Sequence, residues 1–526
     1  MRLKPKHAWF LAFTAVFAAL AGFVFWGTWS LDFAPVMPDC PIVHSPWWFE
    51  DWWRNWVQNG KFVPGDVRIF LGSPYHWQEL QYALAMYFAA LGAAYFLRGR
   101  GLSRLASYGG GLLLAFSGYW CSLFSAGHHG WFQWMTYGVF AFGLADRAVR
   151  KNKLKNWLLL GAELAWGSFY QPDLWLLFTV LTAAYFVFIC FRERKIPAWK
   201  GMAAAFFVFL LIGSPSFYNA FFKDLAGRDR QIAEGQTVGG AAADGVDKRW
   251  IFTTNWSLPP SEVSEFFIPR INGDTSCMMT LMAGEKHGSA VRPYTGALGR
   301  PYGSEAGNYR QHSLYVGRVT CLLALAGIIG AFMRKERTAV FFFVCGVVFC
   351  VFSFGRYCEI VYRCVYALPF GDYLRAPVKW HHLTEFCLVL LAGFGIEFLF
   401  RRFNGSKKRF VPIALGAFVL VGAADLAWHD SLYCAPVNVG EARRQKAGMQ
   451  MTFIRHADLE NPQVREMVRR KQVLLLSDVK RDPVLAGILQ PVRKNYKTFP
   501  PLSVPAWLGI VSMIASAGVG FIAIKK

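Results

Sequence analysis

The sequence predicts an all-α bundle embedded in a membrane, with about twelve transmembrane helices, extracytoplasmic loops and a small outer α/β subdomain. Three observations predict it. Only 17% of the 526 residues are charged while 54% are hydrophobic, against roughly a quarter charged in an ordinary soluble domain. Apolar runs of about 20 residues, the length that crosses a bilayer, recur along the whole chain. The Lys and Arg residues fall in short clusters between alternate runs, which is the positive-inside pattern. A soluble enzyme, a disordered protein and a disulfide scaffold are thereby excluded.

The elements follow in order. Arg2, Lys4 and Lys6 precede an apolar run from Ala8 to Ser30. It is too long for a signal-peptide core and lacks a small-x-small cleavage site, so it reads as an uncleaved first helix with its N-terminus in the cytoplasm. Further spans are predicted at 80–97, 105–124, 131–146, 156–171, 174–191, 201–219, 313–333, 338–354, 381–400, 410–428 and 505–523. Basic clusters occupy every second connection: Arg98 to Arg104, Arg147 to Lys155, Arg192 to Lys200, Arg334 to Arg337, Arg401 to Arg409, and Lys525 with Lys526. The alternating short turns, 126–130 and 171–173, carry no Lys or Arg. An even number of spans puts both termini in the cytoplasm.

The net charge of +23 is accounted for by these loops, and no nucleic acid is expected as a partner. The eleven Cys show no metal-ligand spacing. Cys358 and Cys364 could pair in an oxidising compartment.

Residues 1–428 thus form a polytopic domain with outer loops 31–79, 221–312 and 355–380. Residues 429–504 form an outer soluble subdomain, in which 472–476 reads as a short buried strand and 462–471 as a basic helix, and 505–526 carry the last transmembrane helix. The subdomain could bind an acidic acceptor polymer or pack against loop 221–312. The predicted spans hold few charges, whereas a transporter buries polar residues within its helices. The polar chemistry lies outside, at the membrane surface.

In the first outer loop, Trp48, Trp52 and Trp56, with Phe49 and Trp53, fall at i, i+4 spacing. That is one apolar face of a helix lying at the headgroup level. Asp32 and Asp39 precede it, Asp39 between Pro38 and Pro41 where the backbone is restrained. A carboxylate there can act as general base on a hydroxyl, although any single acid could merely solvate the loop.

Arg356, Arg363, Arg375, Lys379, His381 and His382 make segment 355–380 and its exit basic, against the positive-inside trend. A phosphate-bearing lipid headgroup would explain this, because arginine forks match phosphate oxygens; the alternative is a solvated loop held by Asp372. Arg318 could reach a lipid phosphate with Glu385 orienting it, or the two could form a structural pair. Glu163 sits in the middle of a span. His128 and His129 occupy a tight turn and could bind a metal or a diphosphate. Asp173 could be the N-cap of the following helix.

The ordered motifs resemble the YfhO family within the GT-C class of membrane glycosyltransferases. They are Asp39 followed by Gly60-Lys61-Phe62-Val63-Pro64, Phe116-Ser117-Gly118-Tyr119 with Gly127-His128-His129-Gly130-Trp131, and Gln171-Pro172-Asp173. After these come Pro259-Pro260-Ser261-Glu262, Phe267-Ile268-Pro269, Tyr315-Val316-Gly317 and the run from Leu368 to Pro377, so that the set covers residues 1 to about 400. The spacing around Asp39 is longer than the family's usual one, and residues from His429 onward match nothing in it. The resemblance implies a bacterial inner-membrane enzyme that moves a sugar from a polyprenyl-phosphate donor to an envelope glycan or polymer, with membrane lipids around it. It also implies that the turns carrying His128, His129, Gln171 and Asp173 lie on the catalytic side.

In an inverting reaction Asp39, or Asp32 in its place, would accept the acceptor's proton. Arg375 would stabilise the leaving phosphate, with Lys379 and Arg318 as further candidates. A divalent metal could assist, and nothing in the sequence demands one. The readings from other classes are a lipid-linked-glycan transporter or flippase and a non-catalytic envelope-assembly protein.

Overall fold

The computed structural model describes residues 5–25, 33–35, 74–118, 135–170, 172–195, 198–225, 247–273, 296–298, 314–368, 371–403, 410–431, 436–438, 453–454, 474–475 and 504–524. Helices stand at every predicted span: α1 (Pro5–Val24), α2 (Pro74–Gly99), α3 (Arg104–Ala115), α4 (Met135–Lys151), α5 (Leu154–Gly167), α6 (Pro172–Glu193) and α7 (Trp199–Asn219). A short outer helix, α8 (Lys248–Thr254), follows. Then come α9 (Arg318–Arg334), α10 (Arg337–Ser353), α11 (Glu359–Tyr366), α12 (His381–Phe403), α13 (Phe410–Ser431) and α14 (Val504–Ile524).

Among the described residues, five helices are long and apolar enough to cross a membrane, or six if α10 and its continuation, bent by 107°, count as one. The chain is therefore an all-α, multi-pass membrane protein. Others are shorter or more polar for local reasons. Ser103 caps α3 at its start, its hydroxyl accepting from Ala106 N at 3.2 Å, and the helix runs only 12 residues. The last turns of α4 carry Asp146, Arg147, Arg150 and Lys151.

The central helix is α12. In its membrane-length window 78% of residues are buried, against 22–39% for the other four, which is the signature of a helix surrounded by protein. It packs most closely on α9, and glycines allow the approach. A methyl on Gly327 would strike the Leu391 carbonyl, and one on Gly395 would strike that of Leu323.

Polar contacts sort the helix ends into two sets. At one end, Asp146 is 1% exposed and accepts from Arg100 at 2.8 Å, Arg150 at 2.8 Å and the Tyr185 hydroxyl at 2.9 Å. Glu193 lies 3.9 Å from Arg100, and Arg192 lies 3.5 Å from Glu336. Glu397 accepts from Ser103 N at 2.7 Å and Arg401 at 2.5 Å. These are the basic connections of the sequence, gathered at one end.

At the opposite end, Ser117 bonds Glu385, Gly118 N donates to Tyr315 O at 3.0 Å, and the Tyr315 hydroxyl bonds Asp425. Strand β1 (Phe33–Pro35), after α1, pairs antiparallel with β2 (Pro436–Asn438), after α13. Between the two ends lies an aromatic layer, with Phe142 4.9 Å from Phe386, Phe178 5.5 Å from Phe386, and Phe142 6.4 Å from Phe342.

Of the predicted outer subdomain, strand β4 (Leu474–Leu475) falls within 472–476 and pairs in parallel with β3 (Phe453–Ile454). The basic helix at 462–471 and the tryptophan-rich helix of the first outer loop lie outside the described residues. Cys358 and Cys364 are free thiols, so the pairing considered from the sequence is not formed.

Candidate functional site

The strap that leads into α12 organises the end opposite the basic connections. Residues 371–378 lie against 253–257. Ala376 N donates to Thr253 O at 3.2 Å, Val378 N to Trp256 O at 3.1 Å, and the Thr253 hydroxyl to Asp372 O at 2.8 Å. On the other side, Leu258 N donates to Ser353 O at 2.8 Å and Arg356 N to the Ser257 hydroxyl at 3.0 Å. Residues 253–258 are thus clamped between the end of α10 and the strap.

Two non-glycine residues in this layer are left-handed, Trp256 at φ 59° and Ala376 at φ 64°. A side chain in that region costs roughly 1–2 kcal/mol, and such strain persists where the surroundings over-determine it. Between them sits Arg375, half-buried, its guanidinium 4.4 Å from the Trp256 ring and 5.1 Å from the Phe252 ring. Two aromatic faces thereby hold a cation at the edge of the cap.

Beneath the strap, α12 begins with a buried polar centre. Lys379 forms an ion pair with Asp173 of α6, with side chains 8% and 4% exposed. His381, His382 and Glu385 are fully buried. His381 lies 4.3 Å from the Phe266 ring, and Ser117 donates to Glu385. Four separate stretches, around residues 117, 173, 266 and 379–385, meet there.

Apolar side chains border the cap. Helix α11 turns away from α10 and buries Tyr362 and Val365. It leaves Ile360 86% and Leu368, just beyond it, 59% exposed. Such a helix suits the membrane interface.

Several sequence expectations change here. Lys379 and Asp173, both assigned to substrate, bind each other. Asp173 lies in the first turn of α6 rather than serving as its cap. Arg318 is exposed at the first position of α9, whereas Glu385 is buried and bonded by Ser117. Asp372 holds Arg249 of the preceding outer segment, at 2.5 Å, rather than an arginine of its own loop. Glu262 is a structural acceptor, bonding Ala297 N at 2.6 Å and Leu298 N at 3.3 Å.

Asp32, Asp39, His128, His129 and Gln171 lie outside the described residues. Among those described, no group of three or more His, Cys, Asp or Glu residues is placed to hold a metal. Sequence reasoning missed Phe252 and Trp256. Their signal was the aromatic density of 250–256, which names no cation until the strap is folded against it.

The fold and site define a multi-pass α-helical membrane protein with a polar centre at one end, beneath a cap bearing a cation held between aromatic rings. No family model, no curated protein and no solved structure matches the chain.

Proposed function

We propose that this chain is a membrane glycosyltransferase of GT-C-like architecture. In this reading about twelve helices cross the bacterial inner membrane, both termini are cytoplasmic, and residues 429–504 form an outer α/β subdomain. The donor is a sugar linked to polyprenyl phosphate, and the acceptor is an envelope glycan or polymer. The observation that carries the reading is Arg375, a cation presented between Phe252 and Trp256 beside the amphipathic α11, which exposes Ile360. A lipid whose phosphate sits at the membrane surface needs both features.

The acceptor hydroxyl attacks the sugar's anomeric carbon. Asp39 takes its proton, with Asp32 as the second candidate. The new carbon–oxygen bond forms as the bond to the phosphate oxygen breaks, and that oxygen leaves with the electron pair. Arg375 stabilises the charge that gathers on it. Lys379, paired with Asp173, holds the strap from below. Arg318, His128, His129 and Gln171 remain candidates for contacts with the donor.

The aromatic layer of Phe142, Phe178, Phe342 and Phe386 separates this centre from the polar hub at the other end. That arrangement favours chemistry at one face over a polar passage through the bundle.

The test is release of polyprenyl phosphate by the purified full chain in lipid, given polyprenyl-phosphate sugars and an envelope acceptor fraction. Asp39→Asn keeps the side-chain shape without its basicity. Turnover should fall by about 10²–10⁴ with donor binding little changed. Arg375→Ala should weaken donor binding and rate together. Full activity in both variants, or no release with any donor, refutes the proposal. Activity lost in Asp32→Asn instead moves the base to Asp32.

A further inference from the structure

At the basic end a groove of about 460 Å³ opens between α6 and α7, lined by Phe186, Val187, Cys190, Phe191, Met202 and the stems of Arg194 and Lys195. The two helices converge at the opposite end, where Trp175 stacks on Phe209 at 5.9 Å and touches Phe217 at 5.9 Å. Toward the basic end α7 leans on α5, since Gly201 sits against Trp157 and a methyl on Gly161 would strike the Ala205 carbonyl.

The wedge faces outward from the bundle. Val187 is 51% and Phe191 80% exposed, and both flanking helices are candidate spans. Its wall is therefore apolar at bilayer depth, while its basic-end rim is cationic. Arg194 is exposed, and no carboxylate among the described residues pairs with it. The Lys195 ammonium donates to Arg150 O at 2.9 Å, which leaves two of its three donors. The adjacent Glu193 is drawn to Arg100.

We infer that this groove is a binding site for an anionic phospholipid of the leaflet at the basic end. One acyl chain fills the wedge against Phe186, Cys190 and Met202. The phosphodiester is held by the Arg194 fork and the Lys195 ammonium. The inference does not depend on the glycosyltransferase reading, because the site lies beyond the aromatic layer from Arg375.

The experiment is native mass spectrometry of the detergent-solubilised full chain offered equal dioleoyl phosphatidylglycerol and dioleoyl phosphatidylcholine. The parent should retain phosphatidylglycerol preferentially. Arg194→Ala with Lys195→Ala, both at exposed positions, should cut that preference by about fivefold for each cation removed, and Arg194→Lys should keep part of it. Met202→Trp should fill the groove and abolish the retained lipid, whereas Val347→Trp, on an exposed face of α10, should leave it. Equal retention of the two lipids by the parent, or a preference unchanged in the double variant, means annular lipid only and overturns the inference. Retention by folded Met202→Trp overturns it as well.

Discussion

Replacing Lys379 by Met keeps the length of the side chain and removes its charge. The partner, Asp173, is then left deep in the bundle. The two side chains are 8% and 4% exposed, so water screens their attraction little and the discount applied to surface pairs does not hold. Breaking a buried pair by removing one partner costs about 3–5 kcal/mol, because the remaining charge must be neutralised or left uncompensated. Removing both, as Lys379→Met with Asp173→Leu, should cost far less, since apolar replacements of buried pairs are often neutral or stabilising. The double-mutant cycle should therefore give a coupling of roughly 3 kcal/mol. Unfolding in mixed micelles titrated with a denaturing detergent, followed by far-ultraviolet circular dichroism, measures all four states. If either single substitution costs under about 1 kcal/mol, or the double costs the sum of the singles, the pair is not a buried, mutually dependent one.

Other outcomes follow from the same geometry. Asp146→Asn keeps one acceptor oxygen for Arg100 and Tyr185 but removes the negative charge and turns the oxygen that faces Arg150 into a donor; it should destabilise the bundle by about 3 kcal/mol, read by the same titration, and a loss within about 0.5 kcal/mol of zero, typical of a surface site, would contradict the hub. Ala376→Gly removes a side chain from a left-handed residue and should raise stability by up to about 1 kcal/mol, whereas Ala376→Val should lower it. A cysteine placed at Lys195 should resist an impermeant thiol reagent in intact cells, and one at Gly240 should react; the reverse would invert the bundle in the membrane.

The fold was largely legible where charge and hydropathy act locally. A basic cluster cannot move to the other end of a helix without reversing the helix, so the alternating clusters set which ends gather together. The contacts among Arg100, Asp146, Glu193 and Arg192 follow that alternation. The lengths were less legible. The sequence shows an apolar run of 20 residues at 105–124, yet α3 ends at Ala115, because Ser117 turns to Glu385 and Gly118 N to the Tyr315 carbonyl. Those partners lie far along the chain. The site was legible as a list of residue types and illegible as a set of pairs. Lys379 and Asp173 are separated by 206 positions, and no local pattern says that one neutralises the other. Arg375 was singled out for its charge, while the rings that hold it belong to a segment that reads as an ordinary outer loop.

Buried ionic groups occur at both ends of this bundle, and their surroundings give them different work. Around Asp146, three donors from α2's end, α4 and α6 fill the carboxylate, and the aromatic layer closes the space above it. Such a hub ties helices together. At the other end the ion pair of Lys379 and Asp173 lies beneath a strap that adopts an unfavourable backbone at Ala376, facing another at Trp256. A glycine at either position would remove the strain, as Gly355 and Gly317 do at their own left-handed turns. A tryptophan in such a conformation presents its indole to Arg375, which glycine cannot do. The strain is thus coupled to the placement of the cation. The buried pair fixes the strap from below, and the rings fix the guanidinium from the side. A cation held from two directions pays little further ordering cost when an anion arrives, which is what the proposed donor-phosphate contact requires.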